Sequence, residues 1–180
     1  MRPGRKVALA IAIVIALVGA VGCGVKAEKD VTEGEPLDLG DLQVNVQLTR
    51  FLNPADPEDG QYLEGQKLPP PVNHSYLAVF MTIKNTGDNP VTGPTADQMK
   101  VVDTTGVTYA ASPASTVFAV PLGATIPPGG EIPGPETAAA NGPAKGSIAL
   151  FLVDDSVNEN RPLVLEIEDN GETGKITLDI

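Results

Sequence analysis

Residues 75–91 read SYLAVFMTIKNTGDNPV. Leu77, Val79, Met81 and Ile83 alternate with Tyr76, Ala78, Phe80 and Thr82, and both sets are largely apolar. Successive side chains on a strand point to opposite faces, so this segment is a strand that needs cover on both sides, a central one. Thr86-Gly87-Asp88-Asn89-Pro90 ends it with residues that favour turns. Ser147 to Val153 repeats the pattern, with Ile148, Leu150 and Leu152 set against Ala149, Phe151 and Val153. Val79, Met81, Ile83, Ile148, Leu150 and Leu152 are the expected core.

Weaker strands flank these two. Leu42, Val44, Val46 and Leu48 alternate with polar residues, the period of a half-buried strand. Residues 53–60 form a Pro, Asp and Gly turn cluster, and Pro69-Pro70-Pro71 imposes a short polyproline stretch. Residues 98–103 and 107–111 flank Thr104-Thr105-Gly106, a hairpin with Gly at the left-handed position. A short strand is expected at residues 116–120, whereas 131–140 is weakly patterned. Residues 162–167 and 175–180 close the domain as a hairpin with a long loop at 168–174. Short strands, frequent turns and no helical period give an all-β class, an antiparallel β-sandwich.

Composition agrees. Leu, Ile, Val and Phe make up 40 of the 158 residues after Gly22, enough to build a core. Nine Lys and Arg stand against 23 acids in that part, a charge of −14 with His neutral. Nucleic acid is therefore a poor partner, because phosphate binding needs clustered cations.

The strand TyrLeuAlaValPheMetThrIle at 76–83, its KNTGDNPV continuation at 84–91, the DTTGVTY hairpin at 103–109 and the Ile126-Pro127-Pro128-Gly129-Gly130 turn form a recognisable set. Together they resemble the telokin-like, immunoglobulin-related domain of unknown function found in many Gram-positive and actinobacterial lipoproteins, which is similar to a secreted mycobacterial immunoprotective antigen. The resemblance covers about residues 42–180. It implies an immunoglobulin-like sandwich outside the cytoplasmic membrane and no catalytic residue. A Pro-rich insertion at 68–72 and a long Ala- and Gly-rich segment before Ser147 depart from the pattern, and strand order across residues 112–146 stays open.

The N-terminus speaks to location. Arg2, Arg5 and Lys6 precede an uninterrupted apolar run from Val7 to Val21, the layout of a secretory signal. The run ends in Ala20-Val21-Gly22 followed at once by Cys23, the only cysteine in the chain. This resembles a bacterial lipobox, which implies a thioether from the Cys23 sulfur to diacylglycerol and cleavage ahead of Cys23. An uncleaved anchor and ordinary cleavage after Gly22 are the alternatives. The expected organisation is a lipoprotein signal peptide at 1–22, a flexible tether at 23–40 and an immunoglobulin-like β-sandwich domain at 41–180. The membrane, reached through the lipid, is then one partner, and the location is the extracytoplasmic face.

Candidate chemistry is sparse. His74 is the only histidine and sits in a turn before a strand, so no Ser-His-Asp set is indicated. Met81 and Met99 could be soft copper ligands, but neither has a second His or Cys to complete such a site, and core packing accounts for them. Two acidic turns, Asp56-Glu58-Asp59 and Asp154-Asp155-Asn158-Glu159-Asn160, carry oxygens of the kind calcium takes without matching an EF-hand spacing. No phosphate-binding glycine loop occurs. The expectations are no enzyme activity, no cofactor, no metal and one modified residue, Cys23. The functional reading is a non-catalytic interaction module with an envelope or extracellular protein partner; the alternative is a surface spacer with no specific ligand.

Overall fold

The computed structural model describes residues 28–180; the signal segment, Cys23 and residues 24–27 lie outside them. The chain runs β1 (Glu28–Thr32), β2 (Pro36–Leu39), β3 (Leu42–Leu52), α1 (Pro57–Tyr62), β4 (His74–Asn85), β5 (Val91–Thr92), β6 (Met99–Val102) and β7 (Thr108–Ser112). It continues through β8 (Thr125–Ile126), β9 (Glu131–Ile132), α2 (Ala138–Asn141), β10 (Ser147–Asp154), β11 (Val164–Asp169) and β12 (Glu172–Thr177). One hydrogen-bonded path, β1-β12-β11-β6-β7-β10-β4-β3-β2, folds over into a sandwich. β7 makes the corner: Tyr109 and Ala110 pair with β6, while Ala111 and Ser112 pair with β10.

β4 lies between β3 and β10, as its two apolar faces require. Leu77, Val79, Met81 and Ile83 are fully buried between the sheets, with Phe151 and Val153 of β10 beside them. Tyr76, Ala78 and Phe80 face the other way into a second, smaller core with Ile148 and Leu150. Ile148 and Leu150 are buried as expected, in this outer core, while the inter-sheet face of β10 is Ala149, Phe151 and Val153. Leu152 is only half-buried at the margin of the outer core.

The expected tether is corrected from Glu28 onward. β1 pairs with β12 in parallel, whereas the other strand-to-strand pairings among the described strands are antiparallel, and β2 pairs with β3. Alternation of exposed Pro36 and Asp38 with buried Leu37 and Leu39 makes β2 a true edge strand. Glu33, in the turn between β1 and β2, ties the sheets together: its carboxylate accepts from the Thr49 N–H at 3.1 Å and the Asp179 N–H at 3.0 Å. Residues 28–39 therefore belong to the sandwich.

Three further differences have local causes. In β3 the pairing slips between Val46 and Leu48, so a bulge turns Leu48 outward and Thr49 inward. The expected long loop at 168–174 is a two-residue turn, Asn170 (φ 46°) and Gly171 (φ 85°), a tight hairpin that lengthens both strands. Within the turn cluster at 53–60, Asp56 accepts from the N–H groups of Glu58 and Asp59 and starts α1, with Pro57 at its first position.

Gly174 of β12 lies against Leu37, where an added Cβ would stand 2.5 Å from Leu37 Cδ2. Leu37→Ala should cost about 2–5 kcal/mol, the range for truncating a buried aliphatic side chain. Gly174→Ala should be destabilising in the native background and much less so in Leu37→Ala, with a coupling above about 0.5 kcal/mol in urea unfolding. A loss under about 0.5 kcal/mol for Leu37→Ala would show that the first two strands are dispensable.

Candidate functional site

The outer face of the β3-β4-β10 sheet is covered in two ways. Over its upper half α1 brings Tyr62 edge-on to Phe80 at 5.2 Å and to Phe118 at 5.0 Å. Arg50 of β3 lies 5.7 Å from the Tyr62 ring centre and pairs with buried Asp59 at 2.6 Å. Asp59 also accepts from the Asn53 N–H at 2.7 Å. Burial pushes the Tyr62 hydroxyl above its ordinary pKa, with Glu58 adding to the shift. This cluster is a buttress with each of its charges engaged.

The rest of the cover comes from Ala114, Phe118 and Ala144, in the segment from Pro113 to Gly146, which otherwise runs along the edge of the sheet. Residues 118–120 lie beside β10: Ile148 N–H donates to Phe118 O at 2.8 Å and Val120 N–H to Ile148 O at 2.9 Å. This realises the short strand expected at 116–120 as a single parallel bridge, Ala119 to Ile148. β9 pairs with Ile83 and Lys84 of β4, continuing the lane that β10 leaves. Thr137 caps α2 by accepting from the Ala140 N–H, and its hydroxyl donates to Gly134 O at 2.7 Å. Gly146 (φ 111°) presses on β4, where a Cβ would sit 2.9 Å from Met81 N, so only glycine fits.

Buried Pro133 lines two hollows. One, of about 240 Å³, lies among Val117, Ala119, Pro121, Ile132 and Ala139. The other, of about 290 Å³, has Gln47, Thr82, Glu131, Pro135 and Lys145 around it. Val117 is 72% exposed, an apolar side chain left in water at the rim. Both hollows fall just below the roughly 300–1,000 Å³ of small-molecule pockets. The first hollow has small, Pro- and Ala-rich apolar walls, whereas polar and charged side chains surround the second. Neither the pattern nor the charge of residues 131–140 gave this away; the Pro and Ala density was its only signal.

The residues singled out from the sequence are placed elsewhere. Cys23 lies outside the described residues. His74 Nδ1 is 3.0 Å from Val72 O, and the adjacent Ser75 hydroxyl donates to Asp155 at 2.7 Å rather than to the imidazole. Met81 and Met99 are both fully buried in the inter-sheet core. The acidic turns are used one carboxylate at a time: Asp56 and Asp154 cap helical turns, Asp59 pairs with Arg50, and Asn158 accepts from Arg161 at 2.8 Å. Among the described residues no three His, Cys, Asp or Glu side chains are grouped to hold a metal ion. Nor is any helix among them long and apolar enough to cross a membrane.

No protein-family model matches the chain, and no curated protein matches its sequence. Solved structures do match. The yjhA protein of Bacillus subtilis superposes with a TM-score of 0.56 at 10% identity, over 83% of this chain and 99% of that one. The secreted protein MPT63 of Mycobacterium tuberculosis gives 0.52 at 15% identity, over 84% and 98%. An uncharacterized β-sandwich protein of Clostridium difficile 630 gives 0.51 at 16% identity, over 86% and 96%. The chain shares their β-sandwich fold. At these identities the likeness is one of architecture.

Two outcomes test the carboxylates in the turns. Asp103 accepts from Thr105 N–H, the Thr105 hydroxyl and Val107 N–H, and the Thr105 hydroxyl above all holds its pKa below the ordinary 3.8. A depressed folded-state pKa adds stability that is complete above the ordinary value and fades as pH falls through the folded one. Asp103→Ala should therefore lower Tm at pH 7, with the gap to the native protein narrowing toward pH 3. For the 154–160 loop, Tm should move by less than about 3 °C between excess chelator and millimolar calcium, since about 1 kcal/mol shifts a domain of this size by roughly 2–8 °C. A rise of about 10 °C would make the loop a metal site.

Proposed function

We propose that this chain is an exported lipoprotein, held at the extracytoplasmic face of the membrane through Cys23, whose telokin-like sandwich is a non-catalytic interaction module of the cell envelope. The observation that carries the location is Ala20-Val21-Gly22-Cys23 at the end of an apolar run with three cationic residues before it. A thiol spent in a thioether also leaves the exported domain with no free cysteine, which suits an oxidising compartment. MPT63, of the same architecture, is a secreted protein, which supports export. Two or more acyl chains hold a protein stably on a bilayer where one does not.

The contact function rests on exposed Val117 and the apolar hollow it borders, lined by Ala119, Pro121, Ile132 and Pro133. An apolar hollow backed by the β-sheet presents a ready-ordered surface, which lowers the entropic cost of binding. A spacer would have no use for such a surface.

Cys23→Ala should leave a precursor about 2.3 kDa heavier, at roughly 105 Da for each of the 22 retained residues, and shift the protein out of the detergent phase. Unchanged processing and partition in that variant would remove the anchor. For the module, residues 24–180 immobilised at low density should capture an envelope protein, and Val117→Asp should weaken capture at least tenfold, about 1.4 kcal/mol, with Tm unchanged. Equal capture by the variant would place the contact elsewhere; no capture by either would favour the spacer.

A further inference from the structure

The fold starts very close to Cys23. Gly24, Val25, Lys26 and Ala27 alone separate it from Glu28, the first residue of β1. Five Cα-to-Cα steps reach at most about 18 Å, whatever their conformation. A lipid on Cys23 therefore stays attached within about 18 Å of Glu28, at one end of the sandwich.

That end can be named. Glu28 pairs with Thr173, next to the Asn170-Gly171 turn. Lys29 Nζ donates to Asp38 O at 2.6 Å, and one residue after Leu39 the chain turns through Gly40 and Asp41 into β3. Gly87 packs against Asp41, and the buried Asn85 side-chain amide donates to Asn89 O and Ile126 O, which gathers the 86–89 and 127–130 turns at the same end. The start of β4, α1 and the Asp103–Val107 turn lie at the other end; β4 spans about 37 Å between them at roughly 3.4 Å per residue.

We infer that the end formed by turns 40–41, 86–89, 127–130 and 170–171 sits on the lipid headgroup layer, and that the end carrying α1 and Val72 points away from the membrane. The inference rests on lipid attachment at Cys23. The facing turns are made of Gly, Pro and exposed polar residues such as Asp41, Asp88 and Asn170, whereas the exposed large hydrophobic side chains, Leu48, Leu68, Val72, Val107 and Val117, lie outside them. Contact is thus with hydrated headgroups and not with hydrocarbon. The acids in these turns oppose adhesion to anionic lipid, so the short connection, and not surface attraction, imposes the orientation.

The test uses the full-length lipidated protein in phosphatidylcholine–phosphatidylglycerol vesicles that contain a lipid with a headgroup-attached quencher. With Cys23 acylated, Asp88→Cys or Val72→Cys supplies the single free thiol for a fluorophore. Quenching at position 88 should exceed that at position 72 at least threefold. Inserting 20 Gly/Ser residues between Ala27 and Glu28 should equalise the two, because a coil of that length spans about 25 Å and turns freely. Equal quenching in lipidated protein without the insert overturns the orientation and leaves the anchor standing. A preference that survives the insert overturns the short-connection argument. Mass spectrometry that finds Cys23 unmodified overturns the anchor and the orientation together.

Discussion

A strand that is dry on both faces dictates this architecture. Phe80 and Met81 are adjacent in β4, point in opposite directions and are both fully buried. The second sheet covers one side; the other has no sheet available and needs cover from whatever the loops provide. α1 and residues 113–118 meet that need, with Tyr62 wedged between Phe80 and Phe118. Left wet, Phe80, Ile148 and Leu150 would each forgo about 1.5–3 kcal/mol of burial. The Arg50–Asp59 pair belongs to the same cover. Its carboxylate is buried and its guanidinium about one-third exposed, so the pair positions α1 over the aromatic rings more than it adds net stability.

How legible all this was in the sequence depended on whether a residue's conformation is decided locally. Alternation in β4 and the Thr104-Thr105-Gly106 turn are local, and both were read correctly from residue types. The Asn170-Gly171 turn was local too, yet the polar residues around it suggested a loop; they are the solvent face of a hairpin. Leu48 could not be placed, because a bulge is a property of two strands and the period of one strand does not reveal it. β2 exposes only two apolar residues to pattern reading, Leu37 and Leu39, and their burial comes from contact with β12 at the far end of the chain. On sequence grounds it looked like tether.

The same distinction explains the candidate site. The course of residues 113–146 is set by tertiary approach: Gly146 against the β4 backbone, Phe118 under Tyr62, Ile132 paired to Ile83. None of these is visible as periodicity. The acidic turns, by contrast, stood out in the sequence and proved ordinary in structure. Short carboxylates cap the nearest backbone N–H groups, and Ser156 with His74 nearby holds Asp154 below its usual pKa by that route. Dense charge in a turn-rich protein is often capping chemistry repeated at each turn.

The parallel pairing of β1 with β12 has a mechanical meaning. All five of its residue pairs, Glu28 with Thr173 through Thr32 with Thr177, lie side by side along the direction in which the chain enters. A pull on the chain ahead of Glu28, directed away from that end, runs along the strand axis, so the ladder is loaded in shear and its hydrogen bonds resist together instead of opening one after another. Beyond them, Glu33 holds β1 to both sheets through Thr49 and Asp179. The first strand is thus the point at which tension on the N-terminus is handed to the whole sandwich.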